Sequence, residues 1–389
     1  MFELLSTSEI GEPRQTVSDC GEPRQTVSDC GRRGRITTPH GIIETPFFMP
    51  VGTAGVMKGI THKDLIGLGA QILLCNTYHL HIQPGDEVVK DAGGLHNFIG
   101  WDMPILTDSG GFQVYSLRRN NKVTDKGVQF NSHLDGAPLF MGPEESITIQ
   151  HNLGADIIMC FDECPPSTAQ RSEIEAAVDR TLRWAEECKT IHNEMSPSPP
   201  APLPKGEGGT RHQPLLFGIV QGALDLNLRK KCAEELIAMD FDGYAIGGLA
   251  VGESQEDMYR IVEEITPLLP EYKPRYLMGV GEIDQMKYCI SKGIDMFDCV
   301  LPMRIARHGT ILMSDGSRIR IKNSEYKNDH SPLDPDSPSQ FSRNMKKSYL
   351  HHLIRANERL GETYAQMQNL GVTLKEVRRV RDEIGMLSE

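Results

Sequence analysis

The stretch Ile105-Leu-Thr-Asp108 is a short apolar run that ends in a carboxylate. Five further apolar runs along the chain also end in a polar residue or in glycine. Short apolar runs that alternate with helical segments are typical of buried parallel strands, and in a (β/α)8 barrel the reactive groups lie at the carboxyl ends of such strands. We therefore expect one barrel rim to carry the residues at these endings: Asn76, Asp108, Asp162, Gln221, Gly248 and Asp298.

The spacing of apolar residues predicts alternating strands and helices from residue 46 onward. Strand candidates lie near Met49 and at 71–76, 104–108, 156–162, 215–221, 243–248, 275–279 and 294–299. Helix candidates, identified by a 3.6-residue period, lie at 61–68, 143–152, 171–193, 225–239, 254–269 and 282–292. About eight strands separated by helices are what a closed barrel requires, so the predicted fold class is α/β, a (β/α)8 TIM barrel.

The N-terminal region precedes the predicted barrel. Residues 11–20 and 21–30 are the same ten letters in tandem, so residues 1–30 are predicted to be a duplicated, poorly ordered extension. The globular body is predicted to begin near residue 31. Its first element is expected to be a hairpin, because two β-branched runs flank the turn Pro39-His-Gly41.

Two later segments depart from the alternation of strand and helix. The segment at 196–213 is dense in proline and glycine, which predicts a solvated, mobile insertion. From about residue 303 to 389 the pattern changes to an appendage with two helices, near 343–367 and 373–386. The predicted organisation is one TIM-barrel domain over 31–389 that carries both additions.

The composition bounds the class of protein. A chain of 389 residues that is 39% hydrophobic can bury one large core. A net charge of −12 argues against a protein that coats nucleic acid non-specifically, although it leaves room for a local basic face. Nine cysteines without a Cys-x-x-Cys pair are typical of reduced thiols. With no secretion signal or membrane-spanning stretch in the sequence, we expect a cytoplasmic protein with no membrane contact.

The motif Thr107-Asp-Ser-Gly-Gly-Phe-Gln113 places Asp108 at a strand end, directly before two glycines. Glycines let backbone N–H groups approach a ligand closely, which suits a planar heterocycle. Asp108 is equally well explained as the cap of the next helix, because aspartate often caps helices at such turns. The residues alone leave both interpretations open.

Three other strand endings offer groups that match the edge of a guanine-like base. Phe161-Asp-Glu-Cys164 supplies a carboxylate, Gln221-Gly222 an amide, and Gly247-Gly-Leu-Ala-Val-Gly252 exposed backbone groups. A structural hydrogen bond is the more common role for Asp162 or Gln221 taken singly. Several such groups on one barrel rim favour a ligand.

A second acid, Asp298, lies in Phe297-Asp-Cys-Val-Leu-Pro302 and directly precedes a basic stretch. Such stretches are usually solvated surface, but beside a barrel mouth this one suits the phosphates of a polynucleotide. Asp108 and Asp298 form the acid pair that displacement at an anomeric carbon requires, through a covalent glycosyl-enzyme. Whether water or another base completes the second displacement stays open. The basic residues of the stretch are Arg304, Arg307, His308, Arg318, Arg320 and Lys322.

These motifs resemble those of the bacterial tRNA-guanine transglycosylases, and the resemblance runs from about Gly31 to the C-terminal helices. It implies a pentosyltransferase that exchanges the guanine at the anticodon wobble position of tRNA for a 7-deazaguanine precursor of queuosine. Asp298 resembles the family nucleophile that bonds to ribose C1′, and Asp108 resembles the general base. Cys164 and Val251 resemble the bacterial form, which takes the aminomethyl precursor preQ1 rather than queuine.

The resemblance also assigns binding residues. Phe112 and Met278 match the positions that sandwich the base, and Arg304 and Arg307 match positions that contact the tRNA around the target nucleotide. The substrate-binding positions taken from the resemblance are Ser109, Gly110, Gly111, Phe112, Asp162, Gln221, Gly248, Leu249 and Met278.

One departure from the family pattern concerns a structural zinc. The family normally carries Cys-x-Cys-x-x-Cys after a Pro-Leu-Asp-Pro-Asp stretch, and a histidine further on. Here Pro332-Leu-Asp-Pro-Asp336 is present. Hydroxyls and an amide are poor zinc ligands, and His351 and His352 point to different helix faces, so we predict no zinc. The residues at the four ligand positions are Ser337, Ser339, Ser342 and Gln368.

Two other functions remain as alternatives to the transglycosylase. A non-catalytic tRNA-binding homologue or subunit would not need both carboxylates, and this chain keeps Asp108 and Asp298. A barrel glycoside hydrolase would use the same acid pair, but it would not need the groups that match a base edge or the basic stretch. Family members usually act as homodimers, and the sequence by itself does not fix the oligomeric state.

Overall fold

The computed structural model describes residues 1–9, 30–111, 121–195 and 213–386. The predicted insertion at 196–213 lies outside these residues except for Gln213, and so do residues 10–29, which hold most of the tandem repeat.

The centre of the molecule is an eight-stranded parallel sheet that closes on itself. Its spatial order is β4-β14-β13-β12-β11-β10-β6-β5. Parallel pairing of Val51 with Leu74 joins the two ends, and the Leu74 N–H donates to Pro50 O at 3.0 Å. The predicted TIM barrel is therefore confirmed. The strands are β4 (Phe47–Met49), β5 (Leu73–Cys75), β6 (Ile105–Thr107), β10 (Ile157–Met159), β11 (Leu215–Val220), β12 (Gly243–Ile246), β13 (Arg275–Leu277) and β14 (Met296–Asp298).

Each of the six predicted barrel helices is present, within a few residues of its predicted bounds. Polar caps explain several of their starts: Thr61 and Asp64 form a capping box, and Asp225 accepts hydrogen bonds from two N–H groups of the helix that follows it. These helices are α1 (His62–Leu68), α5 (Pro143–Leu153), α6 (Arg171–Met195), α7 (Leu226–Met239), α8 (Gln255–Ile265) and α9 (Ile283–Ser291).

Side chains alternate between two cores along each barrel strand. Phe47 and Met49 face the barrel interior, whereas Phe48 packs outward against the helices. Ile157 and Met159 likewise face inward, and Ile158 faces outward. Because both faces of the strands are buried, the strands read as continuous apolar runs in the sequence. The interior is a packed core, which leaves the carboxyl-end rim as the place for polar groups.

A three-stranded antiparallel sheet covers the amino-terminal end of the barrel. The predicted hairpin is confirmed as strands β2 (Cys30–Thr38) and β3 (Gly41–Thr45). The prediction of a poorly ordered extension is wrong for its first part, because β1 (Phe2–Glu9) pairs with β2. Phe2 and Leu4 alone are too few apolar residues at alternate positions to predict this strand from the sequence. Phe2 packs against the interior core, and the Arg32 guanidinium lies 5.0 Å from its ring.

The Asp156 side chain links this sheet to the barrel through hydrogen bonds. Its carboxylate is hydrogen-bonded to His40 Nδ1 at 2.7 Å and to His96 Nε2 at 3.1 Å, and it accepts the Ile105 N–H at 2.9 Å. The two imidazole rings stack with centroids 3.5 Å apart. Their nearly parallel planes direct both nitrogens at the one carboxylate.

Further short elements connect the barrel strands. Three short helices follow β5, a three-stranded antiparallel sheet precedes α5, and a helix follows β14. These elements are α2 (Thr77–Ile82), α3 (Asp86–Asp91), α4 (Leu95–Ile99), β7 (Lys122–Thr124), β8 (Gly127–Asn131), β9 (Pro138–Met141) and α10 (Leu301–Arg307).

The C-terminal appendage differs from its prediction in where the helix breaks. The predicted break between residues 367 and 373 is wrong, because one helix runs unbroken from Arg359 to Met386. The chain turns instead at Asn357, whose φ is +56°. Gly371 is inside the long helix, where a Cβ would lie 3.1 Å from Leu68 Cδ2, so this glycine permits close packing. The appendage consists of β15 (Thr310–Leu312), β16 (Arg318–Arg320), α11 (Gln340–Asn344), α12 (Lys347–Arg355) and α13 (Arg359–Met386).

A membrane-crossing helix would need a long apolar stretch. Within the described ranges, none of the helices has the length and apolarity for that.

Candidate active site

A cavity of about 470 Å³ opens at the carboxyl ends of the barrel strands. All six strand endings identified in the sequence line it, and both predicted catalytic carboxylates are among them. Leu249, Met278 and Arg304 also line it. The roles of these residues remain predictions. Phe112 lies outside the described residues.

Asp298 ends strand β14 and faces the cavity from a half-buried position. The Tyr276 hydroxyl donates to its Oδ1 at 2.6 Å, and the Gly279 N–H donates to the same oxygen at 2.8 Å. Burial raises the pKa of the Asp298 carboxyl, and the two hydrogen bonds oppose that rise. One oxygen of this carboxylate is therefore anchored to the protein.

Asp108 follows strand β6 and is anchored through both oxygens. The Asn76 side-chain amide donates to Oδ2, and the Thr77 N–H donates to Oδ1 at 2.8 Å. Thr77 is the first residue of α2, so Asp108 does contact a helix N-terminus, but the helix precedes Asp108 in the chain rather than following it. The described contact is thus with an earlier helix and not with the next helix that the sequence suggested, and the same carboxylate also lines the cavity.

Asp162 and Gln221 form a buried pair on the cavity wall. Gln221 Nε2 donates to Asp162 Oδ2 at 2.7 Å, and Ser109 Oγ donates to Oδ1 at 2.9 Å. Burial raises the pKa of the Asp162 carboxyl to about 6, and the charge of Glu163 adds to the rise. Gln221 Oε1 is buried and accepts no hydrogen bond from any residue that the structure describes. A buried amide oxygen without a donor is costly, so this position is suited to a group that offers an N–H.

Gly248 brings the backbone next to this pair. Its φ is +64°, and a Cβ there would lie 2.5 Å from Gln221 Oε1, so glycine is required for steric reasons. On the other side of the wall, Gly111 N donates to Ser109 Oγ at 3.1 Å. Gly110 and Gly111 do not line the cavity themselves; they continue the loop that holds Ser109 in place.

The two predicted tRNA-binding arginines differ in their surroundings. Both lie in α10, directly after β14. Arg304 is exposed at the edge of the cavity, whereas Arg307 Nη1 donates to Gln366 Oε1 of α13 at 3.1 Å. Arg304 is thus placed to meet a ligand, and Arg307 links the barrel to the appendage.

Sequence reasoning missed two residues that shape the site, Tyr276 and Arg229, and it placed Asn76 on the rim without assigning it a contact. Tyr276 and Asn76 hold the two carboxylates. Arg229 is fully buried and donates to backbone carbonyls of Ala223 and Val220 at 2.8 and 3.1 Å. Its signal in the sequence was an arginine on the apolar face of a helix, at the spacing that the buried Cys232 and Leu236 share.

The four positions that correspond to zinc ligands do come together in the appendage. Ser337 Oγ donates to Gln368 Oε1 at 2.6 Å, and Ser339 N donates to Ser337 Oγ at 3.0 Å. The side-chain oxygens of Ser339 and Ser342 are buried and accept no hydrogen bond from the described residues. Three hydroxyls and an amide lack the thiolate or imidazole that a tetrahedral zinc site requires, so these residues do not fit the metal.

The fold and the cavity define a class of protein: a TIM-barrel enzyme with two anchored carboxylates and a polar wall suited to a nitrogen heterocycle. A sequence model of the queuine tRNA-ribosyltransferase family matches residues 28–386. The chain therefore belongs to the queuine tRNA-ribosyltransferase family, as the resemblance implied.

Individual relatives agree with the family match. The queuine tRNA-ribosyltransferase of Synechococcus elongatus is 49% identical over 347 residues, which cover 89% of this chain and 86% of that protein. The one from Moorella thermoacetica is 48% identical over 360 residues, with 92% of each chain covered. The one from Lactococcus lactis subsp. cremoris is 50% identical over 354 residues, with 91% of this chain and 88% of that protein covered.

Proposed function

We propose that this protein is a tRNA-guanine transglycosylase that exchanges guanine at the anticodon wobble position for preQ1, in queuosine biosynthesis. The observation that carries the proposal is the unsatisfied Gln221 Oε1 beside the Asp162 carboxylate. A guanine-like base presents N–H groups along one edge, and these two acceptors are suited to them. Because the substrate is tRNA, we expect the reaction to take place in the cytoplasm.

The reaction proceeds in two displacements. In the first, Asp298 forms a bond to ribose C1′ while the bond from C1′ to the guanine ring nitrogen breaks, and the guanine leaves with the electron pair. Asp108 supplies a proton to the leaving base and later removes one from the incoming base, which then displaces Asp298. Two inversions at C1′ retain its configuration.

Residues at the cavity also bear on which base enters and on how the tRNA binds. Cys164 and Val251 line the cavity, and they support preQ1 as the incoming base through their resemblance to the bacterial form. Arg304, exposed at the cavity edge, is suited to a phosphate of the tRNA. Asp108 and Asp298 together favour catalysis over a role as a non-catalytic subunit.

The test is incorporation of labelled guanine into unmodified tRNA. The wild-type protein should incorporate label and form a covalent tRNA adduct that survives denaturation. Asp298→Asn should abolish both, because an amide oxygen cannot displace the base. Asp102→Asn is the matched control, since Asp102 is exposed outside the cavity. A folded wild-type protein that binds tRNA without incorporating label would instead be a non-catalytic homologue.

We further propose that the appendage folds without zinc. The support is chemical: Gln368 Nε2 donates to Leu312 O at 2.8 Å and to Asp334 Oδ2 at 2.7 Å, so the cluster is held by hydrogen bonds. These bonds join β15 to the loop before α11 and to the long helix α13. A metal would have to displace them.

A further inference from the structure

Tyr276 occupies an inward-facing position of strand β13, next to the strand that ends in Asp298. Its ring is packed in the barrel interior and is 1% exposed. Its hydroxyl reaches the Asp298 carboxylate at 2.6 Å. The contact is therefore formed between two neighbouring strands of a rigid sheet, which fixes its geometry.

Tyr276 can act on Asp298 only as a donor. Burial raises the pKa of the Tyr276 hydroxyl well above its ordinary value, and the negative charges of Asp298 and Asp108 raise it further. The hydroxyl therefore keeps its proton at neutral pH. A hydrogen bond to an ionised carboxylate is stronger than one to a neutral group.

The two donors meet at a single oxygen. Tyr276 and Gly279 both donate to Oδ1, and Oδ2 of Asp298 accepts no hydrogen bond from the described residues. A carboxylate that attacks carbon needs one oxygen that is free to form the new bond. Rotation about the Cβ–Cγ bond would exchange the two oxygens, so this rotation must be restrained if the same oxygen is always to attack. The pair of donors supplies that restraint.

We propose that Tyr276 is a positioning residue that holds Asp298 by Oδ1 so that Oδ2 attacks ribose C1′. The inference rests on the proposed function, since it concerns the same covalent step. When the bond from Oδ2 to C1′ forms, Oδ1 becomes the carbonyl oxygen of an ester and loses its charge. When the incoming base breaks that bond, the charge returns to the carboxylate. Tyr276 therefore stabilises the departing carboxylate of the second displacement more than it stabilises the ester.

The variant Tyr276→Phe tests this role because it removes the hydroxyl and keeps the ring. Loss of a hydrogen bond to an ionised group should lower guanine exchange at pH 7 by about ten- to a hundred-fold. The acidic limb of the pH profile of kcat/KM should move to higher pH by about one to two units, because a donor that favours the charged form is gone. The covalent adduct should form a larger fraction of the enzyme at steady state, because its breakdown is slowed.

The matched control is Tyr244→Phe. Tyr244 is also 1% exposed and lies on the neighbouring strand β12, but it packs outside the barrel, where its hydroxyl accepts the Phe241 N–H at 3.2 Å. Its loss should lower stability without moving the pH profile or the adduct fraction. If thermal unfolding shows that Tyr276→Phe does not fold, Tyr276→Met serves with the same readouts.

The outcomes separate this inference from the proposed function. If the wild-type protein exchanges guanine but Tyr276→Phe matches Tyr244→Phe in pH profile and adduct fraction, the positioning role is overturned and the transglycosylase activity stands. If the wild-type protein exchanges no guanine, the proposed function fails first. A raised acidic limb together with adduct accumulation supports the role of Tyr276.

Discussion

Asp162 is a residue at which folding and ligand binding make opposite demands. Burial raises the pKa of its carboxyl to about 6 from an ordinary value near 4, so the charge that would bind the base is costly in the empty site. The native state binds more protons than the unfolded chain between these two values. The loss of folding stability caused by the ionised Asp162 carboxylate is therefore absent below about pH 4 and complete above about pH 6.

Asp162→Asn should change stability and base binding in opposite directions. A shift of about two pKa units corresponds to about 3 kcal/mol, so the variant should be more stable than the wild type at pH 7 by up to that amount, with the difference vanishing near pH 4. Base binding should weaken at least tenfold because a charged acceptor is lost. Thermal unfolding against pH and the KM for guanine check the two effects; lower stability at pH 7 would contradict the first.

At the scale of secondary-structure elements, helices α5 and α6 meet at two imidazoles. His151 Nε2 and His192 Nδ1 lie 3.0 Å apart, and burial lowers the pKa of each to about 4. Both rings are therefore neutral at pH 7, and one donates a hydrogen bond to the other. Protonation of either would break this arrangement and place a charge between packed helices.

The free energy of unfolding should fall as the pH is lowered through this pair. A folded-state pKa below the unfolded value of about 6.5 means that the stabilisation is complete above pH 6.5 and is lost toward pH 4, by up to about 3 kcal/mol for each ring. His151→Leu should reduce this pH dependence. Denaturant unfolding at pH 7 and pH 5 measures it, and equal slopes for variant and wild type would exclude the pair as its source.

The cluster around Gln368 leads to a second expectation at this scale. Gln368→Leu would remove three buried hydrogen bonds, those to Ser337 Oγ, Leu312 O and Asp334 Oδ2, and we expect a loss of about 2–4 kcal/mol of stability. A strong chelator should leave the unfolding temperature of the wild-type protein unchanged, and metal analysis should find less than one zinc per chain. One tightly held zinc would overturn the metal-free assignment.

At the scale of the whole molecule, tRNA binding brings together a protein and a polymer that both carry net negative charge. With a net charge of −12, association depends on where the cations lie. Two basic residues of the stretch after β14 already have partners: Arg318 forms an ion pair with Glu282, and Arg307 donates a hydrogen bond to Gln366. Arg304 at the cavity edge is the residue best placed to neutralise a phosphate.

Arg304→Ala and Arg307→Ala should therefore behave differently. The first should weaken tRNA binding and reduce the slope of log affinity against log salt by about 1, as expected for the loss of one phosphate contact. The second should leave that slope unchanged and lower the unfolding temperature, because it breaks the link between α10 and α13. Binding titrations at several salt concentrations distinguish them, and identical slopes would refute the assignment of Arg304.

The sequence was informative wherever a pattern was local. Apolar runs such as Ile105-Leu-Thr located the strands, and their polar endings located the cavity wall. Contacts between distant segments could not be found in this way. The pairing of Phe2–Glu9 with a strand twenty residues further along left no periodic signal, and neither did the donation from Asn76 to Asp108. The long C-terminal helix was split in the prediction because Gly371 reads as a helix end, whereas packing against Leu68 explains it.

The pairing of Glu9 with Cys30 holds two strand ends side by side, and the segment that joins them in the sequence carries the tandem repeat. Residues can therefore be added or removed between Glu9 and Cys30 without a change in how the strands pair. Loop-closure entropy grows only by about 0.6 kcal/mol for each doubling of length. We therefore expect this position to tolerate the gain or loss of one ten-residue copy at a cost of less than about 1 kcal/mol in the free energy of unfolding.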